Sequence, residues 1–311
     1  DTYLVMDLPN IWSPILPPTT NNIDNVQPDD SNINRLVVVG GASLLQGGVT
    51  IAVSDDGGIN WEAANSSDNI FAEGFDVIWL GNLTNPLWVA VGQPYTGVNN
   101  NTIVRSTNGR VWTSISNTPF GNNGSGYGIA YDSNNNLLIS VGNNDPLDAT
   151  STCIGYSNDL GITWTKITNA TIDGIVETIN NIFDTGGITA ISYGNGMWVA
   201  VGITSGIYAP YITSNDGINW IGYNTNLWDN KGFNKTSILH CSGNNWIMGG
   251  FATNPLPPDI AKGRILISND NGISWSNTNL PTEDYAPNRV MSLSINPNNN
   301  IILGVGQGAN I

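Results

Sequence analysis

An eight-residue turn that returns at intervals of about 50 residues constrains this chain more than any other feature of its sequence. It appears as SDDGGINW (Ser54 to Trp61), SNDLGITW (Ser157 to Trp164) and SNDNGISW (Ser268 to Trp275), and one residue shorter as STNGRVW (Ser106 to Trp112) and SNDGINW (Ser214 to Trp220). Each copy follows a β-rich run (VTIAV, NTIVR, TCIGY, PYITS, RILIS) and precedes a shorter one, which places it at a hairpin tip. Asp or Asn can hydrogen-bond its own backbone in such a turn, and Gly can take a positive φ there. The Trp, at a fixed distance from the Gly, then begins the return strand and packs under the turn. The chain is therefore a tandem array of similar β units.

The pattern S-x-D-x-G-x-x-W resembles the Asp-box (BNR) repeat of sialidase-like β-propellers. Ser54, Asp56, Gly58 and Trp61 match it in full, as do Asp159, Gly161 and Trp164, and Asp270, Gly272 and Trp275. Asn108 replaces the acid ahead of Trp112, and the copy holding Asp216 and Trp220 is shortened. The W-V-A-V-G and S-x-D-G-x-x-W spacing is also similar to photosystem-assembly-factor-like propellers and to repeat proteins of large DNA viruses. The resemblance implies a propeller in which the box is a folding element on the rim and not a catalytic one. A shared fold by itself does not carry an activity.

The full repeat reads as strand, short turn, strand ending in V-G, loop, strand, Asp-box, strand. Second-strand copies stand at Arg35 (RLVVVGG), Leu87 (LWVAVGQ), Leu137 (LLISVGN), Met197 (MWVAVGI), Trp246 (WIMGGF) and Ile301 (IILGVGQ), six against five Asp-boxes. The last repeat runs out after its second strand. The missing half lies at the other end, where TYLVMDLPNIWSPI (Thr2 to Ile15) reads as two strands whose Trp12 corresponds to the Asp-box Trp residues. The expected fold is an all-β, six-bladed β-propeller of four-stranded blades within one domain over 1–311. Blades are expected over 18–65, 66–116, 117–168, 169–224 and 225–280, with a closing blade shared between 281–311 and 1–17. Such sharing protects a sheet edge that would otherwise invite aggregation. The inner strand of the first blade is expected in Ile23 to Asp29.

Composition narrows the function classes. Charged residues are only 11% of the chain, and 36 Gly, 16 Pro and 11 Trp suit a turn-rich β repeat protein. A net charge of -15 with nine Lys plus Arg argues against a nucleic-acid partner, whose phosphates need a basic face. No apolar run approaches the ~20 residues of a membrane helix, so no membrane insertion is expected. Cys153 and Cys241 fall at different places in different repeats and are expected as free thiols. Asn makes up about 15% of the residues, so the N-x-S/T sequons at Asn65, Asn82, Asn100, Asn123, Asn169 and Asn234 arise at the rate chance gives.

Loop lengths point to a working face. The first-to-second turns (SNNN, GNG, NPNNN) and the Asp-boxes are short and share one face, whereas the long loops QPYTGVNNN, NNDPLDATST, ITSGIYAP and FATNPLPPDIAKG share the other with the blade-to-blade links. Variable loops on a rigid scaffold are where binding usually resides. Tyr95, Phe120, Tyr208, Trp228, Phe251 and Tyr285 are the candidate contact residues; Phe71, Phe75, Tyr127, Phe183 and Phe233 also fall in the links. The competing reading has these aromatics plugging the ring beneath the loops.

Signals for catalysis are sparse. His240 is the only histidine and is read as a packed or channel-facing residue of SILHCS. A sialidase-like enzyme needs an arginine trio and an F/Y-R-I-P motif; the arginines are Arg35, Arg105, Arg110, Arg264 and Arg289, and the motif is absent. Paired carboxylates would suffice for glycoside hydrolysis, and Glu73, Asp76, Asp132, Glu177 and Asp184 lie near inner-strand ends or links. No calcium loop of EF-hand type and no phosphate loop occurs, so neither metal nor cofactor is expected. The expectation is a non-catalytic binding or structural module for a protein or glycan, leaning to a virion or surface setting, with a sialidase-like glycoside hydrolase as the alternative. These signals specify neither ligand nor oligomeric state.

Overall fold

The structure is a computed structural model that describes residues 25–29, 32–41, 49–64, 70–80, 86–95, 99–183, 186–203, 211–222, 233–252, 263–278, 289–296 and 301–307. The chain divides into two compact units, 1–114 and 115–311. In the first, β1 (Asn25–Asp29), β2 (Asn32–Val39), β3 (Ile51–Ser54) and β4 (Glu62–Ala63) form an antiparallel sheet in that order. A second sheet follows from β5 (Glu73–Trp79), β6 (Trp88–Gln93), β7 (Ile103–Ser106) and β8 (Thr113–Ser114). The polar stretch before Arg35 thus does contain an inner strand, β1, within the expected span. Residues 1–17, expected to complete the closing blade, lie outside the described residues.

The second unit opens with β9 (Ser125–Asp132), β10 (Leu137–Asn143), β11 (Ile154–Ser157) and β12 (Thr165–Lys166). A hairpin of β13 (Asn169–Ile172) and β14 (Ile175–Thr178) and the single-turn helix α1 (Ile179–Ile182) come next, in a stretch read as a plain link. Then β15 (Ile188–Gly194), β16 (Met197–Gly202), β17 (Tyr211–Ser214) and β18 (Ile221–Gly222) form a sheet to which the hairpin adds, giving the order β14-β13-β18-β17-β16-β15. Another sheet is built by β19 (Phe233–Ser242), β20 (Asn245–Ala252), β21 (Gly263–Ser268) and β22 (Ser276–Asn277); β23 (Arg289–Asn296) pairs with β24 (Ile301–Gln307).

Second strands read as unbroken apolar runs because both their faces are covered. Trp88 to Val91 are fully buried, as are Leu138 and Ile139 and Val199 to Val201. In the first unit Val37, Val39, Ile51 and Val53 meet Val77, Trp88, Ala90 and Trp112. In the second, Ile139 and Ile154 meet Ile191, Trp198 and Ile212, and on the far side Val199 and Tyr211 meet Ile238, Trp246 and Trp275. Inner strands line up accordingly, β9 beside β15, β15 beside β19 and β19 beside β23.

The glycine of V-G has a steric cause. A Cβ on Gly92 would lie 2.4 Å from the carbonyl oxygen of Glu73, one on Gly142 1.8 Å from that of Ser125, and one on Gly202 2.4 Å from that of Gly187. At these points the inner strand bulges by one residue: Phe75, Tyr127 and Thr189 are the extra residues between the pairs that flank them. The backbone kink of each bulge presses its carbonyl onto the second strand, and only hydrogen fits.

At the other end, the Asp-box is a closed set of hydrogen bonds. Ser268 Oγ donates to Asp270 Oδ1 (2.8 Å) and accepts from Gly272 N–H (3.0 Å); Asp270 Oδ1 accepts from Ser274 N–H (2.9 Å); and Trp275 Nε1–H folds back onto the Gly272 carbonyl (3.1 Å). The same Trp-to-Gly bond recurs at Trp61, Trp112, Trp164 and Trp220. The full-length boxes hold two consecutive residues at positive φ, Gly57 and Gly58, Leu160 and Gly161, Asn271 and Gly272, whereas the short ones need only Gly109 or Gly217. Asn108 stands in for the acid as acceptor, its Oδ1 taking bonds from Ser106 Oγ–H, Arg110 N–H and Val111 N–H. Desolvation raises the Asp216 carboxyl, but donation from Asn219 backbone and side chain, from Ile218 and from Ser214 outweighs it and holds the pKa at about 2. Asp56, Asp159 and Asp270 are lowered in the same direction.

Three outcomes follow from this turn. Gly272 has φ +83 and a Cβ there would meet Val199 Cγ2 at 2.7 Å, so Gly272→Ala is expected to cost about 1 kcal/mol or more in chemical denaturation. Trp275 is buried against Tyr211, and Trp275→Ala is expected to cost ~3–5 kcal/mol; a mutant that melts like the parent would remove the structural role of the box. Because the Asp216 pKa is depressed from 3.8 to about 2, its stabilisation is complete above pH ~4 and is lost as pH falls towards ~2. Acid titration of Tm should therefore show parent and Asp216→Asn converging in that window.

Candidate ligand-binding face

At the end of the sheets that carries the Asp-boxes, neighbouring turns bond to one another. Asn195 Nδ2 donates to Asn244 Oδ1 (2.9 Å), Asn271 N–H donates to the Asn244 carbonyl (2.9 Å), Asn271 Nδ2 donates to the Asn195 carbonyl (3.3 Å), and Trp246 Nε1–H donates to Asn271 Oδ1 (3.1 Å). Tyr211 Oη reaches over to the Ile273 carbonyl (2.9 Å). In the first unit Arg35 and Arg110 converge on Asp55, and Arg110 also pairs with Glu62. Arg110 and Asp55 therefore join one Asp-box to the next, and two of the five arginines are committed to a structural clasp.

His240 belongs to the same end. It pairs with Trp246 in the β19–β20 ladder, the register that Trp79 holds opposite Trp88, Tyr131 opposite Leu138 and Tyr193 opposite Trp198. Its ring lies edge-on to Trp246 at 4.8 Å, its Nε2 is 2.9 Å from the Gly243 carbonyl, and Gly194 leaves room for it, since a Cβ there would fall 2.1 Å from His240 Cγ. His240 is a packed cross-strand ring of the repeat. Comparing inner strands register by register, and not the histidine count, is the signal that identifies this role.

The opposite end carries the loops and links, of which the 143–152 loop and the link over 115–124 are described in full. Asp145 is buried and clamps two of them: its carboxylate accepts from Leu147 N–H (2.9 Å) within its own loop and from Asn123 N–H (3.1 Å) and Nδ2 (3.0 Å) in the preceding link. Backbone bonds from Asp145 N–H to Phe120 O and from Thr152 N–H to Pro119 O close the same contact. The loop over 143–152 thus holds one shape, and Leu147 stands 86% exposed at its tip.

The aromatics separate into two groups. Phe71, Phe120 and Phe183 are fully buried; Phe71 and Phe183 lie against the space left by Gly92 and Gly202. Phe120 is therefore a packing residue beneath the loops, as the plugging alternative has it, and not an exposed contact. Tyr95 is half-buried and its carbonyl accepts from Asn99 N–H (3.0 Å). Phe251 lies in β20 and not in a loop, paired with Gly263. Tyr208, Trp228 and Tyr285 lie outside the described residues. Phe75 and Tyr127 are not in links: they are the bulge residues of β5 and β9, half-buried at the long-loop end, with Thr189 in the same place in β15. Bulges re-aim side chains and recur beside binding sites. A bulge is invisible in a single strand's sequence because it exists only as a mismatch with the partner.

The described candidate acids each have their own local surroundings. Asp76 accepts from Val77 N–H beside it (2.8 Å), Glu73 flanks Gly41, Glu177 lies on the β13–β14 hairpin, and Asp132 sits at the Asp-box end, buried and bonded to Asn134 N–H and Asn135 Nδ2. Asp184 lies outside the described residues. Among the described residues no group of three or more His, Cys, Asp or Glu is placed to hold a metal ion, and no helix is long and apolar enough to cross a membrane. Both thiols are free; burial pushes that of Cys153 up to about 12.

Residues 52–63 match the model of the BNR/Asp-box repeat family. No curated protein matches the chain in sequence. Among solved structures, an ancestral GH74 enzyme is similar with a TM-score of 0.65 at 15% identity, over 96% of this chain and 36% of that one. The GH74 xyloglucanase from Xanthomonas campestris (TM-score 0.45, 14% identity, 92% of this chain and 47% of that one) and YCF48 bound to D1 peptide (0.46, 12%, 84% and 81%) are also similar. The chain spans about a third of the ancestral enzyme and about half of the xyloglucanase. The first of these likenesses, together with the repeat, makes the fold a β-propeller with Asp-box turns.

The Asp145 clamp has a direct consequence. Asp145→Asn places an amide NH2 among N–H donors, so hydrogen exchange at Leu147 and Asn123 is expected to accelerate and stability to fall by about 1 kcal/mol or more. Unchanged exchange at both amides would show that the clamp does not order the loop.

Proposed function

We propose that this chain is a non-catalytic binding module, a six-bladed propeller closed by a blade shared between its two ends, which engages a protein or glycan through its long-loop face. One observation carries the reading: neighbouring turns at the Asp-box end bond to one another, whereas at the long-loop end the 143–152 loop is clamped in one shape, with Leu147 exposed at its tip and Phe120 buried beside it. Preorganised loops bind at a lower entropic cost. Tyr95 and the bulge residues Phe75 and Tyr127 would supply contact surface, with Tyr208, Trp228 and Tyr285 from the loops expected beside them and Phe120 as floor. The Asn- and Ile-rich composition leans the setting towards a virion or a surface. The likeness to a GH74 enzyme keeps glycans among the ligands to be tried and keeps a glycoside hydrolase as the second reading.

A glycan array run beside a fluorogenic glycosidase panel tests this. Binding without turnover is expected, weakened by Tyr95→Ala and indifferent to Ile218→Ser at an Asp-box tip. Turnover of an aryl glycoside that Glu73→Gln or Asp76→Asn abolishes would establish the hydrolase instead. Closure has its own test: deleting residues 1–17 should expose a strand edge and cause aggregation or loss of cooperative unfolding. An equally stable, soluble deletion mutant would rule the shared blade out.

A further inference from the structure

One sheet departs from the repeat at its outer edge. In the other Asp-box sheets the outermost strand is a two-residue stub, β4, β8, β12 or β22, which leaves little backbone for another chain to pair with. β18 is a stub of the same length, yet its outer side is occupied by β13, paired parallel through Thr171↔Ile221 and Ile172↔Gly222, with β14 beyond. The edge has thus been moved outward and lengthened to the four residues Ile175–Thr178.

The hairpin is anchored on one side only. Ala170 and Ile172 of β13 and Ile179 and Ile182 of α1 are buried in the core, and Thr171 N–H donates to the Trp220 carbonyl (2.9 Å). On β14, by contrast, Ile175 and Val176 point to opposite faces and are 64% and 69% exposed. The tip residues Asp173 (φ 49) and Gly174 (φ 86) make a two-residue turn of type I′, which makes Ile172 and Ile175 the hydrogen-bonded pair. Pairs alternate along an antiparallel ladder, so Val176 directs its N–H and C=O, and Thr178 its N–H, away from β13, the Thr178 carbonyl being taken up as the N-cap of α1. Three of the four residues are β-branched and none is Pro.

We propose that β14 is a strand-addition site and that its occupant is an extended, basic segment of a partner protein. A second copy of this chain is a poor occupant. A four-residue edge paired with itself buries far less than the ~800 Å² per partner of a stable dimer, and two chains of net charge -15 repel each other. Charge selects a basic strand, because Glu177 lies on the edge itself and Asp173 at its tip. Main-chain bonds to Val176 and Thr178 supply affinity, and Ile175 and Val176 offer apolar contact on either face. The site is separate from the long-loop face and stands or falls independently of it.

Isotope-labelled protein titrated with acetyl-Lys-Val-Lys-Val-Lys-Val-amide tests the proposal, with Glu replacing Lys in one control peptide and a central Pro in another. The expected result is shifted resonances and slowed hydrogen exchange at the Val176 and Thr178 amides, with neither effect at the stubs. Val176→Pro should abolish the response, and Glu177→Lys, which leaves the backbone intact, should weaken the basic peptide by about two- to fivefold. No response on β14 at millimolar peptide, equal binding of the acidic peptide, or a dimer in sedimentation that Val176→Pro dissolves would each overturn it.

Discussion

A β-strand that is apolar on both faces has no solvent-compatible side, and this constraint governs the molecule. Trp88, Trp198 and Trp246 are fully buried in the second strands of their sheets, so each sheet needs a neighbour against each face. Within each unit neighbouring sheets stack and cover the faces they turn to each other, with the cores lying between them. A single sheet of this kind would not persist in water, and the repeat has to be tandem for that reason.

The two ends of each sheet then solve different problems. At one end the Ser–Asp–Gly–Trp bonds close a tight turn, and Asn195, Asn244 and Asn271 tie neighbouring turns together. At the other end the inner-strand bulge presses a carbonyl onto the glycine of V-G and leaves Phe75, Tyr127 and Thr189 as the extra residues of their strands. The first end leaves little to vary. The second is a rigid rim on which loops of different length are held, and the Asp145 clamp shows one of them fastened from within.

That asymmetry bears on function more than any single residue does. Catalysis by acids requires two carboxylates to meet across a bond; Asp76 lies within β5 and accepts from the next residue's N–H, and Asp132 closes the turn after β9. Recognition asks less: a stiff surface, some apolar contact and an ordered backbone. The added β13–β14 hairpin extends the same logic to the outer rim, where the other sheets keep their edges short.

The sequence by itself determined the repeat, the all-β class, the position of each Asp-box and the identity of the second strands. These rest on local chemistry: a Gly that must take positive φ, an Asx acceptor for turn N–H groups, and a Trp at constant distance. Even the inner strand β1 was legible in a polar stretch, from the period alone. Tertiary structure decided the rest. Phe120 and Tyr95 are both aromatics of the long-loop side, but one is packed and the other half-exposed because burial depends on the neighbouring backbone. His240 looked solitary until its register placed it with Trp79, Tyr131 and Tyr193. The bulges and the extra hairpin were hidden for the same reason: strand pairing joins residues far apart in the chain, and a mismatch of one residue leaves no mark on either strand alone.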